Sequence, residues 1–389
     1  MIFLRVRLKN IYMFKDAELD LTYPMKLPSS TIESEWLIEF PKIKYKRVCV
    51  LSGANASGKT ALGKALCMIN NYIDGRSVDQ EGGEFNILNL PKLMYTKKSP
   101  ALFYVEFLTP ESGEMHQLVA QFDGEGLLEE TYRVLRLRKS YSYSEASARL
   151  RETTAISHYK RKYHSYGISK PGFSSVAHST GKLNILPAWN YQFSVAGSFE
   201  RSEHQLHTKN TKIIKKFLCA FDSSISSVVA IDDDSYKIKF LNGESILYKN
   251  GQLLNRNRLS RGTLEAIEVA MFYVDILSWG KLEKNGVGKT YYLDEKLAYS
   301  HTEAEQAILN LLIETLPQNS QLFYTTHNYD ILDMSLPAHS YTFLKKDTFS
   351  QITQPEKLGY NQNDRSLLGY VKNDVFGTLP NLDAINDLL

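Results

Sequence analysis

Three short clusters of polar residues carry the chemistry that this sequence can do. The first is Gly53-Ala54-Asn55-Ala56-Ser57-Gly58-Lys59-Thr60, a spacing of glycines, lysine and hydroxyl that suits a polyphosphate. Glycines at Gly53 and Gly58 let the backbone wrap close to phosphate oxygens, so that N–H groups from Asn55, Ala56 and Ser57 onward can point at them. Lys59 would reach the β and γ phosphates, and the Thr60 hydroxyl would ligate Mg²⁺. The second cluster is Tyr291-Tyr-Leu-Asp294-Glu295, an apolar run ending in two acids. Asp294 could hold Mg²⁺, directly or through water, and Glu295 could polarise an attacking water as general base. The third is Gln321-Leu-Phe-Tyr-Thr325-Thr326-His327-Asn328, where His327 could contact the γ-phosphate or that water, or merely cap the short helix expected at Tyr329–Leu332. A fourth segment, Arg258-Leu-Ser260-Arg-Gly262-Thr263-Leu-Glu265, opens a long helix. Ser260, Gly262 and Thr263 at that N-terminus form an anion site through backbone N–H groups, or serve as an ordinary N-cap.

Each cluster needs a frame. Val48-Cys-Val-Leu51 reads as a buried strand ahead of the glycines, and Thr60–Ile69 reads as a helix with Leu62, Leu66 and Ile69 on one face. Tyr291–Leu293 and Leu322–Thr325 read as buried strands. Between them the pattern predicts a helix over Thr302–Leu316, capped by Thr302 with Glu305 three residues on. A further helix is expected from Thr263 to about Trp279. Alternating strands and helices imply an α/β core, with the nucleotide at the carboxyl ends of its parallel strands.

The N-terminal half reads differently. Residues 1–21 alternate as strands around a turn near Asn10–Asp16, and residues 22–47, with Pro24, Pro28 and Pro41, read as an irregular insertion or loop. Ala101–Leu108, Gln117–Phe122 and Leu128–Leu137 read as three successive strands. A helix is expected near 143–163, and the strands Tyr236–Leu241 and Ser245–Tyr248 flank an Asn242-Gly243 turn.

The 389 residues are 43% hydrophobic and 23% charged, as in ordinary globular proteins. No apolar run is long enough to span a bilayer, and the N-terminus lacks a cleavage pattern. Cys49, Cys67 and Cys219 show no metal spacing, so a reducing cytoplasm is expected. The net charge is +3, but residues 133–216 hold 16 Lys and Arg against 4 Asp and Glu, a balance of +12 that leaves the rest at −9. This stretch also carries Tyr141, Tyr143, Tyr159, Tyr163, Tyr166, Phe173, Trp189, Tyr191 and Phe193. It is open to three readings: a lid with a small aromatic core, a nucleic-acid surface, or a surface for an acidic protein. His158, His164, His204 and His207 have no ligand spacing and read as surface residues.

In this order the clusters resemble the ABC-type ATPases of the RecF, SMC and OLD class, and the compact heads of bacterial phage-defence systems among them. Leu8-Lys-Asn-Ile-Tyr-Met-Phe14 is similar to the family's opening strand and turn, Leu259–Thr263 to its signature, and His301 to a position common in OLD-like heads. The resemblance covers residues 1–75 and 250–335. It implies a P-loop NTPase of α/β class with an ABC-type head: a mixed sheet, antiparallel N-terminal strands and a basic insertion. Residues 1–132 would form the first half of the head and 133–216 the insertion. Residues 217–389 would form the second half, with the signature, the acidic pair and the switch histidine. It also implies that Ser260 and Gly262 bind the γ-phosphate of ATP held by a second subunit, in a head-to-tail homodimer or higher oligomer. The chain departs from the family at Arg261, where a small residue is common. It departs again in the loop Lys296-Leu-Ala-Tyr-Ser300, which lacks an acid, and Gln117 and Gln121 are the candidates for its glutamine loop. The implied function is an ATP-dependent sensor or regulator of anti-phage defence, governing a separate effector such as a nuclease or toxin. The alternative is a RecF-like DNA-binding clamp in repair or recombination. No membrane association is expected.

Overall fold

The computed structural model describes residues 1–23, 30–74, 91–161, 188–194, 210–232, 235–249, 252–254, 258–282, 287–298, 300–360 and 367–379. Strands β1 (Ile2–Ile11) and β2 (Phe14–Asp20) form the opening hairpin. β3 (Val48–Ser52) leads into helix α1 (Lys59–Asp74). Then come β4 (Ala101–Thr109), β5 (Glu114–Asp123), β6 (Gly126–Arg136), α2 (Tyr143–Glu152), β7 (Ser157–Lys160) and β8 (Ala188–Gln192). The C-terminal part holds α3 (Thr211–Phe221), β9 (Ile225–Asp232), β10 (Ser235–Phe240), β11 (Ser245–Lys249), β12 (Gln252–Leu253) and α4 (Arg261–Leu282). It continues with β13 (Lys289–Asp294), α5 (Thr302–Thr315), β14 (Gln321–Thr326), β15 (Tyr341–Lys346), β16 (Ser350–Thr353) and α6 (Leu367–Lys372).

These elements build three sheets. The first runs β2-β1-β4-β5-β6-β7, all antiparallel; the second is the small meander β12-β11-β10-β9; the third runs β16-β15-β3-β14-β13-β8. In the third, β15, β3, β14, β13 and β8 are parallel. Their side chains alternate between two cores, as the pleat requires. Cys49, Leu51, Tyr292 and Phe323 join α1 and the first sheet in one core. Val48, Val50, Tyr291, Leu293, Leu322 and Tyr324 face α4 and α5 in another. Burial on both faces explains why these strands read as unbroken apolar runs. Among the described residues no helix is long and apolar enough to cross a membrane.

Three expectations need correction. The helix expected over 143–163 ends at Glu152, where Thr153 caps it, and Ser157–Lys160 pairs with β6 as a strand. Thr302 does not cap α5: His301 is the N-cap, without a side-chain bond, and Glu305 is turned into the interior. Tyr329–Asp333 is a 3₁₀ turn capped by Asn328, not by His327. Within 133–216, the described strands pair with the main sheets. Arg133–Arg136 completes β6, and Ala188–Gln192 is an outer strand of the parallel sheet, paired with β13.

The aromatics of that stretch follow suit. Tyr143, Tyr191 and Phe193 are buried, and Trp189 packs against the core beside them. Tyr141 lies under the Arg138 and Arg149 guanidinium groups, at 5.9 and 5.0 Å. Tyr163, Tyr166, Phe173, His164, His204 and His207 lie outside the described residues.

Candidate functional site

β3 ends at Ser52, and the turn Gly53–Gly58 hands the chain to α1. The turn is tight. Ala56 takes φ +63° and Gly58 φ +109°, a left-handed conformation that glycine alone adopts freely. A Cβ at Gly53 would lie 2.2 Å from the Leu344 carbonyl oxygen, which is backbone and cannot yield. At Gly58 a Cβ would lie 2.7 Å from Ser350 Oγ. α1 also presses on β13: the Tyr292 hydroxyl donates to the Lys59 carbonyl at 2.7 Å, and Gly63 leaves room for its ring.

Lys59 is 3% exposed and turns back over its own loop. Its ammonium donates to the Gly53 and Ala54 carbonyls at 2.7 and 3.1 Å and lies 3.0 Å from Glu295 Oε1. The Thr60 hydroxyl donates to Asp294 Oδ2 at 2.7 Å. Residues 59 and 60 thus meet residues 294 and 295 across the carboxyl ends of β3 and β13, on either side of β14.

Asp294 is fully buried and held from three sides. Besides Thr60, the Thr325 hydroxyl donates to Oδ1 at 2.6 Å, and Ser194 donates to Oδ2 through its hydroxyl at 3.1 Å and its N–H at 3.4 Å. These donors offset the cost of burying a carboxylate. Glu295 takes φ +48°, a strained conformation for a side chain with a Cβ. Its N–H donates to Thr325 Oγ1 at 3.0 Å, which fixes the strained turn. His327 Nδ1 lies 4.0 Å from Glu295 Oε1, with its side chain 44% exposed. Lys59, Thr60, Asp294, Glu295 and His327 therefore form one constellation.

Ser260 and Thr263 bond each other at the start of α4. The Thr263 N–H donates to Ser260 Oγ at 3.1 Å, and the two hydroxyls are 2.7 Å apart, so this end of α4 is a self-satisfied cap. Among the described residues no hydrogen bond joins it to the Gly53–Thr60 turn. α4 is nonetheless tied to the acidic loop. The Lys296 ammonium, buried after Glu295, lies 2.5 Å from Glu268 Oε2. One turn nearer the cap, burial pushes the Glu265 carboxyl up to about 7, against the opposing pull of Lys296 and Arg261.

Gln117 is sequestered in the antiparallel sheet, where it donates to the Tyr104 hydroxyl at 3.0 Å and accepts from Arg133 at 3.1 Å. Gln121 lies on the same strand. By contrast, Gln192 ends β8 in register with Leu293, next to the Asp294 level. Gln192 and Ser194 went unread because Trp189-Asn-Tyr-Gln-Phe-Ser194 sits in the basic stretch; its alternating aromatics were the signal of a strand. Thr325 and Glu305 were also missed as supporting groups.

The residues fit a nucleotide with its metal. A hydroxyl and a carboxylate 2.7 Å apart are the oxygen donors that Mg²⁺ prefers. Ser57 Oγ is buried in the turn with no hydrogen-bond partner among the described residues, as befits a donor reserved for a phosphate.

No family model matches the chain, and no curated protein does. Among solved structures, the chain is similar to an SMC head bound to the C-winged-helix domain of ScpA. The identity is 12% and the TM-score 0.45, over 92% of this chain and 99% of that one. It is also similar to the recombination mediator protein RecF with ATP in the RecFOR pathway, at 11% identity and a TM-score of 0.37, over 91% and 96% of the two chains.

Proposed function

We propose that this chain is an ATP-hydrolysing switch of the ABC type. The observation that carries the reading is the convergence of Lys59 and Thr60 with Asp294 and Glu295 at 3.0 and 2.7 Å. Backbone N–H groups of Asn55 to Thr60 cradle the phosphates, aided by the N-terminal end of α1. Lys59 exchanges its contact with Glu295 for the β and γ phosphates. Thr60 and Asp294 would hold Mg²⁺, which would supply charge neutralisation at the phosphates. Glu295, freed from Lys59, accepts a proton from the water that attacks the γ-phosphorus as the bond to ADP breaks. His327, beside Glu295, contacts that water or the γ-phosphate.

Two substitutions test this reading. Lys59→Ala removes the loop's ammonium and should abolish ATP binding measured by calorimetry. Glu295→Gln should keep binding and slow turnover by about 10²-fold or more, as for loss of a general base. Unchanged turnover in Glu295→Gln would remove that residue from the mechanism.

On the sequence resemblance, the reading extends to a head-to-tail homodimer in which Ser260, Gly262 and Thr263 of one subunit complete the ATP site of the other. On the same ground, the switch serves bacterial anti-phage defence and restrains a separate effector, a nuclease or another toxin. Plasmid-borne protection of a host against phage, lost in Lys59→Ala, tests that role.

A further inference from the structure

One buried carboxylate collects three donors from the segment that carries His327. Glu305 lies in the first turn of α5 and is 3% exposed. Its Oε1 accepts from the Tyr324 hydroxyl at 2.5 Å and the Thr326 hydroxyl at 2.9 Å; its Oε2 accepts from Asn328 Nδ2 at 2.9 Å. The residues before and after His327 are therefore fastened to the same group.

Asn328 has no freedom to turn over. Its Oδ1 accepts the Asp330 N–H at 3.0 Å, and its Nδ2 also donates to Thr302 Oγ1 at 3.1 Å. Its own N–H donates to Thr326 Oγ1 at 2.9 Å. Every donor around Glu305 is thus oriented for a carboxylate. Desolvating such a group is costly, and three bonds into one turn of chain offset that cost.

α5 follows the loop after Glu295 in the chain, and Glu305 ties that helix to the residues on either side of His327. We propose that Glu305 is a positioning residue: it fastens the His327 turn to α5 and so sets where His327 stands relative to Glu295. It touches no reacting atom itself. The kinetic part of this proposal rests on the reading of the site as an ATPase; the geometric part does not.

Glu305→Gln keeps the shape but aims an N–H₂ at a donor, either Asn328 or the two hydroxyls. It should lower kcat about 10-fold or more, since a displacement near 1 Å can cost 10²-fold, while the Kd for an ATP analogue stays within about twofold. In a His327→Ala background the same substitution should change kcat by less than about twofold, because its effect passes through the lost imidazole. Adding Asn328→Asp to Glu305→Gln reverses donor and acceptor and should restore most of the rate. Equal losses with and without His327, or no rescue by Asn328→Asp, would overturn the proposal.

A second readout needs no turnover. In ¹⁵N-histidine-labelled nucleotide-free protein, Glu305→Gln should shift the His327 ring resonances and leave those of the distant His116 in place. Unmoved His327 resonances would refute the clamp even if the chain hydrolysed nothing. Conversely, shifted resonances in a protein without ATPase activity would sustain the clamp and reject the ATPase reading.

Discussion

The Thr325 hydroxyl donates to Asp294 Oδ1 at 2.6 Å, and the same oxygen accepts the Glu295 N–H at 3.0 Å. One buried side chain on β14 therefore sets both acids at the end of β13. Thr325→Val keeps the shape and removes both bonds. It should cost about 1–3 kcal/mol of stability, the usual penalty for stranding buried polar partners. It should also lower Mg²⁺-dependent ATP turnover by at least about tenfold, as misplaced catalytic groups do. Thr325→Ser retains the hydroxyl and should turn over at close to the wild-type rate. Equal rates in the valine and wild-type proteins would show that Thr325 does not hold the acids in place.

The proposed head-to-tail dimer predicts complementation between damaged chains. A Lys59→Ala chain lacks the loop function, and a Gly262→Asp chain puts a negative charge where a partner's γ-phosphate would sit. Each alone should be inactive. Mixed, they should regain one working site per dimer, about a quarter of wild-type activity for random pairing when each heterodimer has one of two sites intact. No recovery on mixing would argue for a site contained in one chain.

Acid should unfold this protein partly through His116. The ring is buried in the first sheet, bonded to Thr109 and Tyr132 hydroxyls at 2.7 Å each, and burial holds its pKa down to about 3. An unfolded histidine titrates near pH 6.5. Between about pH 6.5 and 3 the unfolded chain binds a proton that the folded chain refuses. The stability is thus complete above pH 6.5 and falls as pH drops through that window, by about 1.4 kcal/mol per pH unit for one proton. Urea unfolding from pH 7.5 to 4.5 should show a slope shallower by that amount in His116→Gln. Identical slopes would show that the ring is protonated in the fold.

α1 packs closely on β13 beneath the site. A Cβ at Gly63 would stand 2.4 Å from Tyr292 Cε1 and 2.9 Å from Phe193 Cε1. Gly63→Ala should therefore destabilise the fold by about 1–3 kcal/mol despite the better helix propensity of alanine. A raised melting temperature would mean that α1 can lift off the sheet freely.

The basic stretch offers exposed Arg149 and Arg151 on α2 and Lys160 on β7. Arg161 is paired with Asp123 and Glu125 and is better left intact. Reversing Arg149, Arg151 and Lys160 to Glu should lower affinity for a fluorescent DNA and reduce the slope of log K against log salt by about two to three. ATP binding should stay within about twofold. Equal salt slopes in the two proteins would show that these residues meet no phosphates.

Strands β3, β13 and β14 and the clusters at their ends were legible because each of these strands is buried on both faces and stops abruptly at polar residues. Gly53–Thr60 and Asp294-Glu295 needed only spacing to be read. What failed was reading side chains whose partners are remote in sequence. Glu305 has the spacing of a local capping residue, yet its donors are Tyr324, Thr326 and Asn328. Composition misled in the same way at Ala188–Gln192. Charge and aromatics left open a docking surface or a small separate core, whereas Tyr191 and Phe193 stack on Tyr292 at 5.7 Å each inside the main core. A charge count does not say which way an aromatic ring faces.

The order of strands in the parallel sheet has a consequence for synthesis. β3 lies between β14 and β15, and both of these follow residue 320. The Gln321 side chain also bonds Phe3 and Lys46, reaching back across 318 residues. At roughly 5–20 residues per second, the Gly53–Thr60 turn leaves the ribosome some ten seconds to a minute before the acids that will face it. Until β14 and β15 emerge, β3 has two open edges, a hazard for mispairing. For that interval a nascent chain carries the Gly53–Thr60 turn without the carboxylates that will face it.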